Sequence, residues 1–212
     1  MTTQSTNTLK SVYERLVSMA TSTESVDLVG DEAATNLARA ALFAALVGAF
    51  AYVSFPHPFS ASPITLQVLG VFLAGIFLGP VWGGGALVFY LAAGALGAPI
   101  FSAGTGGLGV LLAAPTLGYL WSYPFAAAFV GYLVHGGVAV RDLDGVSLPR
   151  LVGAMVAGTA VIYAFGVAGM ALVLELTLVE AFLTGALAFI PFEGVKIAAA
   201  LGVVRSDAIA AN

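Results

Sequence analysis

Residues 64–98 read ITLQVLGVFLAGIFLGPVWGGGALVFYLAAGALGA, without a single Asp, Glu, Lys or Arg. The run is apolar and is punctuated at Gly79-Pro80. A Gly-Pro pair marks a turn, so the run divides into two apolar segments, near 64–79 and 82–98. The charge-free region extends beyond it on both sides, from Arg39 to Arg141. A soluble chain carries about a quarter charged residues. This chain of 212 residues is 8% charged and 60% hydrophobic, with a mean hydropathy of +1.02. An uncharged stretch of that length requires several membrane spans, not one buried helix.

Working outward, apolar segments lie near 36–54, 64–79, 82–98, 108–134, 150–174 and 178–203. They predict an all-α membrane protein of six transmembrane helices. The second segment is short: either it is little tilted or its end is unwound beside a cavity. With the N-terminus inside, Lys10, Arg15, Arg39, Arg141, Arg150 and Arg205 all fall on the inner side, and the outer loops have none. That is the positive-inside pattern. A five-span reading would put Arg205 outside. A multi-pass protein of the cell membrane with cytoplasmic N- and C-termini is therefore expected.

Residues 1–35 are rich in Ser and Thr and are acidic, with Glu14, Glu24, Asp27, Asp31 and Glu32. They are expected to form a cytoplasmic extension. Leu9, Val12, Tyr13, Leu16 and Val17 recur at helical spacing, so it is either a short helix on the membrane surface or a frayed tail. Residues 36–204 form the membrane domain, and 205–212 a short cytoplasmic tail.

Several function classes drop out. There are no cysteines, and only His57 and His135 could serve as histidine ligands. Disulfides, thiolate metal sites and histidine-rich metal sites are excluded. A net charge of −4 argues against nucleic-acid binding. Gly104-Thr105-Gly106-Gly107-Leu108-Gly109 matches G-x-G-x-x-G but has membrane spans for flanks and no acid until Asp142. A dinucleotide fold needs a preceding strand and an acid about 20 residues on. No P-loop and no G-x-S-x-G turn is present, and no catalytic residue is identified.

The polar residues inside apolar segments carry the function. Pro191-Phe192-Glu193-Gly194-Val195-Lys196 interrupts the last span. Glu193 and Lys196 share a helical face. An ionisable pair in a lipid-spanning segment is costly and marks a cavity, partner or ligand. Lys196 offers a cation to a carboxylate and Glu193 an acceptor to N–H groups. Thr65 and Gln67 sit just inside the second span, where an amide either joins helices or meets a ligand. Tyr90, Tyr119 and Tyr123 are available to stack on a ligand. Loops 55–63 and 99–107 are uncharged and either fold over an outward-facing pocket or simply connect spans. Ala40, Ala41, Ala44, Ala45, Gly48 and Ala49 give the first span a flat face for close helix packing.

The order of motifs resembles a known family. Pro63-Ile64-Thr65-Leu66-Gln67 leads to Leu73-Ala74-Gly75, Leu78-Gly79-Pro80 and Tyr90-Leu91. Pro99-Ile100-Phe101, Gly106-Gly107-Leu108-Gly109-Val110-Leu111, Pro115-Thr116 and Gly118-Tyr119-Leu120 follow, and Phe189–Lys196 closes the series. Over about residues 38–203 this is similar to the BioY family, the biotin-binding substrate-specificity (S) components of energy-coupling-factor (ECF) transporters. The family's usual Asp in the last motif is Glu193 here, and its neighbouring Gly is Phe192.

The resemblance implies an S-component-like bundle and biotin uptake without enzymatic activity or a cofactor. It implies a biotin site of Thr65, Gln67, Tyr90, Phe101, Gly106, Gly107, Tyr119, Glu193 and Lys196. It implies docking, through Ala41 and Ala45, to a transmembrane coupling protein (T component) that works with two ATPase subunits. Another small carboxylated vitamin as ligand, or a solitary proton-coupled carrier with Glu193 as its proton site, are the alternatives.

Overall fold

The computed structural model describes Tyr13, Glu14 and residues 30–206. The chain divides into two units, Met1–Ala34 and Thr35–Asn212. In the first, Tyr13 and Glu14 are helical and exposed. The rest of the surface helix expected over residues 9–17 lies outside the described residues.

The chain then runs through helix α1 (Asp31–Tyr52), strands β1 (Ser54–Phe55) and β2 (Ile64–Thr65), and helix α2 (Gln67–Ala95). Helices α3 (Leu108–Ala113), α4 (Leu117–His135), α5 (Leu148–Leu174), α6 (Leu178–Gly185) and α7 (Ile190–Val204) follow, with 3₁₀ turns at Ser102–Gly104 and Leu187–Phe189. β1 and β2 pair antiparallel, Ser54 with Thr65 and Phe55 with Ile64. The chain entering α2 is therefore extended, which is the unwound alternative for the short second segment.

Helix α2 is not one rod. Gly79 has φ 74° and ψ −175°, a conformation essentially confined to glycine. Pro80 follows, with no N–H to lose at the start of a new helix. Gln67 and Tyr90, 23 residues apart, share a hydrogen bond of 2.5 Å. A straight helix would hold them roughly 35 Å apart. The two halves therefore lie side by side as a hairpin, packed through glycine. A Cβ on Gly83 would come within 2.8 Å of the Ala74 carbonyl oxygen, and one on Gly131 of α4 within 2.8 Å of the Gly75 carbonyl oxygen. Small residues let helices approach this closely in lipid.

The core lies between α2, α4 and α5 and is filled by Phe72, Ile76, Leu87, Leu120, Leu151 and Met155. Within its most apolar stretch 67% of α2 is buried, against 17% for α1, so α2 is the centre of the bundle and α1 its periphery. Leu42, Phe125, Phe129, Leu172 and Val195 point outward, as they would toward hydrocarbon. Counting α2 once and joining α6 to α7, five helical stretches are long and apolar enough to cross a membrane.

Two boundaries differ from the hydropathy segments. Residues 108–134 divide into α3 and α4 around Pro115, and 178–203 divides at Ala186, ahead of Pro191. Proline is tolerated in the first helical turn, so Pro191 opens α7 instead of breaking it.

Candidate ligand site

The interruption between α6 and α7 frees backbone carbonyls. The Tyr119 hydroxyl donates to the Gly185 oxygen at 2.5 Å. His57 Nε2 lies 3.2 Å from the Ala188 oxygen, and its ring stacks on Phe189 at 4.6 Å between centroids. Loop 55–63 is thus fastened over the interruption. Just beyond it, Glu193 occupies the first turn of α7, where the helix N-terminus favours negative charge. Lys196 Nζ donates to Glu193 Oε1 at 2.6 Å, and each residue is only 4% exposed.

A second polar group faces this pair. The Thr65 hydroxyl donates to Gln67 Oε1 at 3.0 Å and the Ser102 hydroxyl to the same oxygen at 2.9 Å. Tyr90 spends its single proton on the Ile100 carbonyl at 3.0 Å. Its oxygen must therefore accept from Gln67 Nε2, which fixes the orientation of the amide.

Between the two groups lies a cavity of about 450 Å³ of non-atom space, its open mouth included. Tyr119, Tyr123, Ile162 and Phe189 supply the apolar part of its wall. Among the described residues, three buried side-chain polar atoms lack a well-aligned hydrogen bond: Ser62 Oγ, Tyr163 Oη and Glu193 Oε2, with the Tyr163 hydroxyl close to Glu193. All three belong to residues lining this cavity. A buried polar atom left unpaired costs about 1–3 kcal/mol, so their convergence marks a place built for a hydrogen-bonding ligand. Two hydroxyl donors, an anionic acceptor and an ammonium with N–H groups to spare suit a small molecule bearing both N–H groups and oxygen acceptors.

Of the residues singled out from sequence, Thr65, Gln67, Tyr119, Tyr123, Glu193 and Lys196 line the cavity. Tyr90 and Phe101 stand one layer behind, edge to face at 5.4 Å. Phe101 fills the space left by the missing side chain of Gly94. Gly106 and Gly107 are not in the lining. Gly106 packs on the Ala98 carbonyl, and the Gly107 N–H donates to the Gly94 oxygen at 2.7 Å. They shape loop 99–107, which presents Ser102. Ser62, Ser102, Ile162 and Tyr163 were not named as site residues by the sequence reading, and Phe189 was named only as the start of the last motif. Only Tyr163, a hydroxyl in the middle of an apolar segment, left a signal. The alanine face of α1 divides: Ala40 and Ala44 are buried, whereas Ala41 and Ala45 are exposed and line an outer apolar groove with Phe89 and Ala93.

The profile of the BioY family matches residues 19–211. A biotin transporter BioY of Rhizobium etli is 38% identical over 175 residues, covering 79% of this chain and 90% of that one. A biotin transporter BioY of Rhodobacter capsulatus is 39% identical over 139 residues, covering 65% and 70%. The fold is similar to the crystal structure of the S component for biotin from an ECF-type ABC transporter. The TM-score is 0.73 and the identity 22%, over 84% of this chain and 92% of that one.

Proposed function

This chain belongs to the BioY family, and on that premise we propose that it takes up biotin as the substrate-binding membrane subunit of an ECF-type importer. The observation that carries this reading is the convergence of Ser62 Oγ, Tyr163 Oη and Glu193 Oε2 on one cavity. Biotin has a ureido ring at one end, with N–H groups beside a carbonyl, and a carboxylate at the other. The free oxygen of Glu193 and the remaining N–H groups of Lys196 form an acceptor beside a donor, which complements a ureido edge. A carboxylate placed there would be repelled by Glu193. The hydroxyls of Ser62 and Tyr163 are left for the remaining ligand oxygens, and Thr65 and Gln67 close the opposite wall.

In this proposal the spans number six, because the α2 hairpin supplies two of them. The positive-inside pattern puts both termini in the cytoplasm and the loops 55–63 and 99–107 outside, above the cavity. Residues 1–35 are then a cytoplasmic extension, 36–204 the binding domain and 205–212 a cytoplasmic tail. The exposed Ala41 and Ala45 are available to a transmembrane coupling protein, with two ATPase subunits supplying the energy. The test is equilibrium binding of labelled biotin to the purified chain. Saturable binding, competed by unlabelled biotin, is expected. No saturable binding would overturn the reading.

A further inference from the structure

Helix α4 brings Tyr119 to the ligand cavity near one end and ends at His135, roughly 24 Å away along its axis. At that far end α4, loop 136–147 and the start of α5 enclose a second cavity, of about 560 Å³ with its mouth included. Arg141 and Arg150 line it, and Arg205, following α7, reaches the same end by donating to the Val146 carbonyl. Arg150 is held by its Nε, which donates to the Leu133 oxygen at 2.7 Å.

Buried His135 positions Arg141: its Nδ1 accepts from the Arg141 N–H at 3.1 Å, and Nε2 donates to the Ile76 oxygen at 2.9 Å. The Nη2 of Arg150 and the Nη1 of Arg141 both flank Gly136. Among the described residues the Glu193–Lys196 pair is the only salt bridge, and no described carboxylate lies within salt-bridge distance of these guanidiniums. Asp142 lines the cavity too, with its Oδ1 accepting from the Asp144 N–H at 3.0 Å.

Two guanidiniums this close repel each other where no carboxylate pairs with either, and a phosphate between them makes paired, charge-assisted hydrogen bonds. On the same loop, outside the cavity lining, Val138 and Val140 are 64% and 56% exposed. A soluble anion gives exposed valines no partner, whereas acyl chains do. We propose that this cavity seats the phosphate headgroup of an anionic phospholipid, with the valines against its chains. Basic pockets between spanning helices recognise such headgroups.

The test is native mass spectrometry of the full chain in detergent, with phosphatidylglycerol or phosphatidylcholine of matched chains, or inorganic phosphate alone. Phosphatidylglycerol should be retained about fivefold or more over phosphatidylcholine, and Arg141→Gln with Arg150→Gln should abolish the preference. Equal retention of the two lipids by the unmodified chain would overturn the proposal, as would an undiminished preference in the variant. Displacement of bound phosphatidylglycerol by equimolar inorganic phosphate would mark a soluble-anion site and overturn it as well. The lipid comparison on the unmodified chain decides the matter even where the double variant fails to fold.

Discussion

Lys196 and Glu193 sit 2.6 Å apart with almost no exposure, so neither can lose the other cheaply. Removing one partner of a buried pair costs about 3–5 kcal/mol. Glu193→Ala should therefore lower thermal stability in detergent as well as abolish biotin binding. With the ureido edge on this pair, Lys196→Ala should weaken biotin and biotin methyl ester equally. A much larger loss for the free acid would place the carboxylate at Lys196 instead. Tyr163 separates binding from stability. Its hydroxyl is buried beside Glu193 without a well-aligned hydrogen bond, so Tyr163→Phe should leave the stability of the ligand-free protein nearly unchanged. Biotin affinity should fall by roughly tenfold, one hydrogen bond's worth. A drop in melting temperature with unchanged affinity would assign the hydroxyl a structural role. Thr65, Gln67, Glu193 and Lys196 were legible because polar groups stand out in apolar runs. Ser62 and Ser102 were not, since serine is ordinary in a loop. Tyr90 was legible as a tyrosine but not as the partner that orients Gln67, because only the hairpin brings them together.

At the scale of elements, turns decide where those side chains meet. The hairpin was readable in Gly79-Pro80, and its necessity is testable. At φ 74° and ψ −175°, Gly79→Ala should cost about 1–3 kcal/mol from backbone strain, with a further clash against Val140, read as a lowered unfolding temperature. The break in the last segment was read at Pro191 and lies at Ala186, because a proline at a helix start obeys the helix. Neither the pairing of β1 with β2 nor the seat of His57 on Phe189 has a local sequence signal, since both join residues distant along the chain or in a loop without periodicity. If that seat holds loop 55–63 over bound biotin, His57→Ala should speed biotin release in a stopped-flow chase while leaving the melting temperature close to the parent's. An unchanged release rate would show that the loop does not retain the ligand.

For the whole molecule, hydropathy and the placement of arginines made the membrane class and the proposed orientation legible. They could not say which helix is central, because burial inside the bundle and contact with lipid both select apolar residues. The natural chain has no cysteine, so single cysteines report topology cleanly. Gly137→Cys and Ser206→Cys should react with a membrane-impermeant maleimide only after the cells are opened, and Ser60→Cys in intact cells. Labelling of Ser206→Cys from outside would restore a five-span topology. The most direct measurement is a structure of the purified chain with biotin. The account predicts the ureido ring within hydrogen-bond distance of Glu193 Oε2 and Lys196 Nζ, between them and Gln67. Biotin bound elsewhere, with Glu193 Oε2 still unpartnered, would contradict it.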